Sequence, residues 1–384
     1  MSEPIDSSRK GLPPSHLPWL DGLRGIAALW VLLHHIFILT GGRSMPILSW
    51  GKLAVDLFMM LSGFLMAHHY MLRRSARPWG ARSTWTDFWA RRWFRISPLY
   101  YVLLAAALVL GPFIAHHRDL VAAVWPGTAT TAARYSDSSL TNVVMHATYL
   151  FGLVPSYVFR TALPDWSIGL EMQFYLAFPF IMLALHRGGP LRAGLLLVLA
   201  CLGLRWLFPG FFSSFPSPSF LPLKLYVFMI GIWMAMALAT GQPGKYLLAS
   251  VGVSALYVLF ERSTTEAVAR VMVVAGLFYM IWPVPGPLRD RTAAVLSNRL
   301  ARFMGDTSYG LYLLHLLLLI PLAGWLASIP QYVQLPLAVR FAVCAVLVVP
   351  PCYLGAWLLY KWIEMPGIAL GKRILGHRGK LAPG

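Results

Sequence analysis

The chain has 384 residues, of which 58% are hydrophobic and only 12% are charged. Soluble domains carry about 25% charged residues, so this chain has too little charge to cover a water-facing surface and must meet lipid over most of its area. Its 32 Lys and Arg against 14 Asp and Glu give a formal net charge of +18, and only the position of that excess separates a nucleic-acid binder from a membrane protein with basic loops.

Residues 1–17 are polar and proline-containing, with no small-residue cleavage site behind the first apolar stretch. They are expected to be a cytoplasmic tail rather than a removable signal peptide. A membrane domain is expected over 18–373 and a second cytoplasmic tail over 374–384. Within the domain, ten stretches approach the roughly 20 apolar residues that a bilayer-spanning helix needs. They are 20–40, 51–71, 98–117, 166–186, 190–208, 219–240, 246–260, 267–284, 303–326 and 333–359. The short stretch 246–260 fits a tilted or partly buried helix. The fold class expected is all-α and polytopic.

Most of the 32 basic residues fall on alternate connections, among them Arg73, Arg74, Arg77, Arg82, Arg91, Arg92 and Arg95 after the second stretch and Lys372 and Arg373 near the end. Cytoplasmic loops are enriched in Lys and Arg, so both termini are expected inside the cell. The excess charge then orients the protein toward membrane lipid, and nucleic acid is not an expected partner. The outer segment 118–165 is too long for a simple connector and contains LTNVVMHATYLFGLV at 140–154. That piece fits a re-entrant or interface-lying helix that walls a cavity, or else an exposed surface helix. Cys201, Cys344 and Cys352 all lie in apolar stretches and read as core residues. No Walker loop, dinucleotide fingerprint or zinc-type spacing occurs, so ATP-driven transport and nicotinamide chemistry are disfavoured and no metal is expected.

An ionisable side chain at the centre of a bilayer costs about 3 kcal/mol on insertion scales, which makes each one a candidate functional residue. Arg24 and His35 share the first stretch. Their spacing is close to three helical turns, so they project from one face about 16 Å apart. Arg24 is expected near the cytoplasmic surface, as a clamp for an anion or carbonyl or as a residue snorkelling to lipid phosphate. His35 lies deeper, placed as a general base, while His34 points away and reads as a packing residue. Asp56 and Glu171 are expected near the depth of His35. Either acid is suited to hold the imidazole tautomer, or to pair with a buried arginine. Tyr309, Tyr312 and His315 join the set from the ninth stretch. On the inner side, Arg91, Arg92 and Arg95 alternate with aromatic residues in FWARRWFRISPLYY (88–101), a pattern suited to cofactor phosphates or lipid head groups. Glu364 and Pro366, beside Lys372 and Arg373, complete an inner charge cluster.

In order along the chain, LDGLRGIAALWVLLHH (20–35), VDLFMMLSGFL (55–65), RRWFRISPLYY (91–101), WSIGLEMQFYLAFP (166–179), SYGLYLLH (308–315) and IEMPG (363–367) resemble the acyltransferase-3 family of integral-membrane acyltransferases. The resemblance implies ten core helices in the bacterial cytoplasmic (inner) membrane. It also implies a cytoplasmic acyl-CoA co-substrate, with acetyl-CoA the usual donor, and transfer of the acyl group to a hydroxyl on an outer-side acceptor. By matching motif, Arg24 and His35 form the active pair and Arg92 and Arg95 a donor site, while Asp56 and Glu171 are expected to join the active pair as the acids inside apolar stretches. Arg91, Glu364, Tyr309 and His315 are expected to support that donor site. Family members usually have two acids where this sequence reads Glu171-Met172, so a role that needs the second carboxylate cannot operate here. Some members carry a fused outer esterase-like domain; this chain is expected to transfer to its acceptor alone or with a separate partner.

The favoured acceptor is a polysaccharide or lipid-linked sugar, for which Trp125, Tyr135, Tyr149, Tyr157 and Trp166 offer stacking faces, although such residues also mark membrane interfaces. A small molecule such as a macrolide is the alternative acceptor. Direct attack and an acyl-enzyme route, for instance through Ser167, both remain open. The rival class is a proton-coupled transporter with His35, Asp56, Glu171 and His315 as a relay, but the matched pair of broken spans typical of repeat-built carriers is missing.

Overall fold

The computed structural model describes residues 17–73, 81–131, 133–261, 264–284 and 286–381. Residues 1–16 of the expected N-terminal tail lie outside the described residues, as do Arg74, Arg77 and Arg262. Among the described residues the chain is helical, without a strand. In order, the elements are α1 (Pro18–Leu39), α2 (Gly51–Arg73), α3 (Arg82–Val124), α4 (Ala133–Ser136), α5 (Leu140–Ala147), α6 (Trp166–Gly188), α7 (Pro190–Leu207) and α8 (Pro209–Ser213). Next come α9 (Leu221–Thr240), α10 (Pro243–Glu261), α11 (Thr264–Met280), α12 (Pro287–Leu296), α13 (Arg299–Ala327), α14 (Pro330–Val333), α15 (Leu337–Leu359) and α16 (Met365–Leu381).

Among the described residues, eight helical runs are long and apolar enough to cross a membrane: α1, α2, α3, α6, α7, α9, α13 and the continuous run from Leu337 to Gly376. The stretches expected at 246–260 and 267–284 form α10 and α11, which are helical and pack beside α9 but are not among those eight. Helix α3 begins well before the expected stretch and holds 43 residues, continuing through Pro98 and Pro112. At 1.5 Å per residue it is about 65 Å long, twice a hydrocarbon core of about 30 Å, so its arginine-bearing first turns project beyond the apolar layer. At the chain's other end α15 passes into α16 through a π-helical turn at Tyr360–Glu364. One extra residue in that turn shifts the helical register and carries Glu364 into the protein, where it is buried.

Two tight helix pairs organise the bundle. Helix α1 lies along α13, and α2 lies along α9. Close approach is written into single glycines: a Cβ on Gly305 would overlap the Asp21 main chain, and one on Gly231 would overlap the Met60 carbonyl. Small residues at such contacts let backbones meet where lipid offers no hydrophobic drive. The centre is filled by aromatic side chains, with Phe174 stacked on Phe228 at a centroid distance of 4.0 Å.

The long segment 118–165, expected on the outer side, is not one helix. Its apolar stretch breaks into α5 and a 3-10 turn at Leu150–Leu153, separated by Tyr149 in the left-handed conformation with φ of 61°. Helix α5 turns Leu140 and Val144 outward and buries Asn142 and His146, the inverse of a water-soluble surface helix. Hydroxyls pin the segment to α3 and α6. Tyr149 donates to Ser97 Oγ (2.9 Å), Tyr101 to the Ala147 carbonyl (2.9 Å), and Tyr100 and Thr161 to Asp165 Oδ2 (3.2 and 3.1 Å). Burial pushes the Tyr149 hydroxyl and the Asp165 carboxyl up from their usual ranges. Tyr135, Tyr149 and Trp166 are thus packing residues here rather than open stacking faces.

Candidate functional site

The over-long start of α3 meets the ends of α1, α2 and α16 around a cavity of ≈ 470 Å³. Arg24, Arg91, Arg92, Arg95 and Lys372 line it, against Asp21 and Asp306. Each α3 arginine is held by a different device. Arg91 pairs with Asp87 one turn back at 3.7 Å. Arg92 lies over the faces of Phe88 and Tyr175, 5.9 Å from each ring centre, an attraction between cation and ring quadrupole. Arg95 reaches Glu364 Oε1 at 3.2 Å, which explains why the π turn that buries this carboxylate belongs to the site. The cations therefore outnumber the acids in a vestibule whose other walls combine His68, His69 and Thr84 with aromatic and aliphatic side chains.

Arg24 also lines a second, narrower cavity of ≈ 50 Å³, with Phe58, Met59, Ser62, Ser167, Glu171, Phe228, Tyr309 and Tyr312 among its walls. Glu171 Oε1 accepts a hydrogen bond from Ser62 Oγ at 2.8 Å and another from the Tyr175 hydroxyl. Tyr175 lies one turn beyond Glu171 on α6, so both face the same side of that helix. The Tyr309 hydroxyl donates to the Ile96 carbonyl at 2.8 Å. The Tyr312 hydroxyl donates to the Pro164 carbonyl at 2.8 Å and therefore accepts from Ser167 Oγ, 2.7 Å away.

Beyond Tyr312 on the same helix comes His315, which is fully buried, and beyond it His35. The two imidazole rings lie 4.9 Å apart, with His315 Nε2 at 3.1 Å from His35 Nδ1. His35 Nδ1 also lies 2.9 Å from the Val31 carbonyl oxygen. His315 Nδ1 faces the carbonyls of Tyr312 at 2.7 Å and Leu311 at 3.2 Å. His34 packs edge-on against His35 at 5.2 Å and is itself within 2.6 Å of the Leu48 carbonyl.

The two acids expected at the depth of His35 are engaged elsewhere. Asp56 is buried between Lys224, whose Nζ lies 3.0 Å from Oδ1, and Arg270, whose Nε lies 3.0 Å from Oδ2. Of the two roles open to it from the sequence, Asp56 takes the buried ion pair. Lys224 and Arg270 are themselves buried, in α9 and α11. Glu171 faces Ser62 and Tyr175, and His315 touches His35 rather than lining the vestibule. Sequence reasoning passed over Ser62, Tyr175, Lys224 and Arg270. A lysine inside an apolar stretch and a tyrosine one turn from a buried acid were the available signals.

The profile of the acyltransferase-3 family, described as an acyltransferase domain, matches residues 17–357. Among curated proteins the chain is similar to acyltransferase MdmB of Streptomyces mycarofaciens, 27% identical over an alignment of 350 positions that covers 80% of this chain and 81% of that protein. It is also similar to O-acetyltransferase OatA of Staphylococcus aureus, 26% identical over 92% of this chain and 57% of that longer protein. No solved structure matches. With a helical, membrane-spanning fold and a family match over most of its length, the chain belongs to the acyltransferase-3 family of membrane acyltransferases.

Proposed function

We propose that this acyltransferase takes an acyl group, acetyl by preference, from acyl-CoA at a cytoplasmic vestibule and transfers it to a hydroxyl of an acceptor on the opposite face. The acceptor is a polysaccharide or lipid-linked sugar. One observation carries this reading: the basic vestibule and the narrow cavity share Arg24 as a common wall. Coenzyme A has the matching chemistry, a phosphate-rich head on a long, thin arm. Guanidinium groups bind phosphate oxygens through paired, charge-assisted hydrogen bonds, and the vestibule supplies four of them in Arg24, Arg91, Arg92 and Arg95. The arm passes Arg24 and brings the thioester toward Tyr312. A cavity of ≈ 50 Å³ suits a short acyl group, and so favours acetyl.

In this scheme His35 is the general base. Its imidazole takes the proton of the acceptor hydroxyl as that oxygen attacks the thioester carbonyl, and later returns the proton to the departing sulfur. The basic end faces the cytoplasm of a bacterial inner membrane, in line with the enrichment of Lys and Arg on that side. The decisive experiment is equilibrium binding of radiolabelled acetyl-CoA to the purified full-length protein, followed by comparison of acetyl content in envelope and secreted glycans with and without the gene. Saturable binding and loss of acetyl from one glycan class are expected. Absence of binding removes the donor assignment, and an unchanged glycan profile turns the acceptor search to small molecules.

A further inference from the structure

We infer that His315 is a positioning residue for His35, taking the place that a carboxylate holds in most imidazole-based catalytic sets. The inference rests on the proposed role of His35 as the base. Hydrogen bonds around the two rings fix where their protons sit. A carbonyl oxygen only accepts, so His315 Nδ1, 2.7 Å from the Tyr312 carbonyl, must carry a proton and donate it. A neutral imidazole has a single N–H, which leaves His315 Nε2 as a lone pair. That lone pair lies 3.1 Å from His35 Nδ1, and two lone pairs would repel at this distance. His35 Nδ1 is therefore the donor, and its one proton is shared between His315 Nε2 and the Val31 carbonyl, 2.9 Å from the same atom and likewise only an acceptor. The proton of neutral His35 sits on Nδ1, and its free lone pair sits on Nε2.

The result is a directed chain from His35 Nδ1–H to His315 Nε2 and from His315 Nδ1–H to the main chain. Its far end is anchored in the α13 backbone, and His315 is sealed from solvent. Neither acid competes for the place, because Asp56 is held by Lys224 and Arg270 and Glu171 by Ser62 and Tyr175. In the transfer step, the acceptor O–H proton moves to His35 Nε2 while the oxygen forms a bond to the acyl carbon. The C–S bond then breaks, its electron pair leaves with sulfur, and the Nε2 proton passes to that sulfur to give the ester and free coenzyme A. Between those events His35 is an imidazolium whose Nδ1–H donates more strongly to His315. A neutral histidine steadies that charge more weakly than a carboxylate, but it adds no permanent charge to the membrane interior.

Two measurements on the full-length protein test this. Nitrogen-15 NMR of histidine-labelled protein, with His35→Ala and His315→Gln used to assign the two rings by difference, reads the proton positions without any substrate. Protons on both Nδ1 atoms are expected; a proton on His315 Nε2 overturns the inference. The second measurement tracks label from acetyl-CoA into membrane acceptors alongside acetyl-CoA affinity. His315→Phe is expected to slow transfer by roughly 10²-fold with affinity within about twofold of wild type, and His315→Gln to recover at least about tenfold by offering an oxygen acceptor at the same reach. Full activity in His315→Phe, or equal losses in the two variants, overturns the inference. If wild-type membranes transfer no label, the proposed reaction fails, and the NMR result still decides where the protons are.

Discussion

Arg24 lies where two cavities meet, and that position accounts for an arginine inside an apolar helix better than snorkelling alone. A guanidinium facing a polar cavity keeps water or ligand oxygens as partners, so it avoids the cost of contact with hydrocarbon. The same logic separates the vestibule arginines. Arg91 is balanced by Asp87 and Arg95 by Glu364, whereas Arg92 rests on ring faces. In the proposed reaction, Arg92→Ala with Arg95→Ala should weaken acetyl-CoA binding by about 10-fold or more, because one charge-assisted hydrogen bond contributes about 1.5–3 kcal/mol and each 1.4 kcal/mol is tenfold. Equilibrium binding of labelled acetyl-CoA measures this, and unchanged affinity returns both residues to lipid anchoring. Much of this was legible at the residue scale. The spacing of Arg24 and His35 comes from helix geometry alone, and the share of a face between Arg92 and Arg95 likewise. That Glu364 answers Arg95 was not legible, because it depends on a π turn displacing the register of a helix far along the chain.

Helices in this bundle are joined by contacts of two kinds, and each yields a prediction. The first is charge. Asp56 on α2 meets Lys224 on α9 and Arg270 on α11, all three buried. Asp56→Asn removes the carboxylate that both cations face, and it should destabilise the fold by about 3–5 kcal/mol, read as a lower unfolding midpoint in detergent. Asp137→Asn, which breaks a more exposed pair with Arg160 in the outer segment, should stay within about 1 kcal/mol of wild type. Equal effects of the two changes would remove the distinction. The second kind is backbone proximity. Gly231 has no space for a side chain against the Met60 carbonyl, while Gly203 on α7 has nothing within 4 Å. Gly231→Leu should part α2 from α9 and cost about 2 kcal/mol or more, seen as loss of the monodisperse peak in size-exclusion chromatography, and Gly203→Leu should behave as wild type. Hydropathy reveals where such helices are and is silent about which pairs touch.

The whole molecule is polarised. The first turns of α3 carry the basic vestibule, and the segment that follows α3 folds back along this helix as far as Tyr101, Tyr100 and Ser97. If the basic end faces the cytoplasm, a cysteine placed at the exposed position Ser138 should react with a membrane-impermeant thiol reagent in intact cells, and one placed at Lys372 should react only after the cells are opened. The three native cysteines are buried, so background labelling should be low. The reverse pattern would invert the molecule and with it the side from which the donor arrives. The chain also spans 57% of OatA and 81% of MdmB, so the shared membrane unit is the part compared, and the choice of acceptor belongs to experiment on this protein.

Sequence alone determined the class of molecule, the positions of most helices and the axial offset between Arg24 and His35. All of these come from hydropathy and helix rise, properties of adjacent residues. It also carried the family resemblance, because the motifs are short and ordered. Only the tertiary structure decided the partners. Asp56 meets Lys224 and Arg270, 168 and 214 residues away, and His35 meets His315 at a separation of 280 residues. No local pattern chooses among several buried acids and imidazoles at one depth. Close packing of α1 with α13 and of α2 with α9 makes that choice, because it fixes which polar groups come within reach of each other.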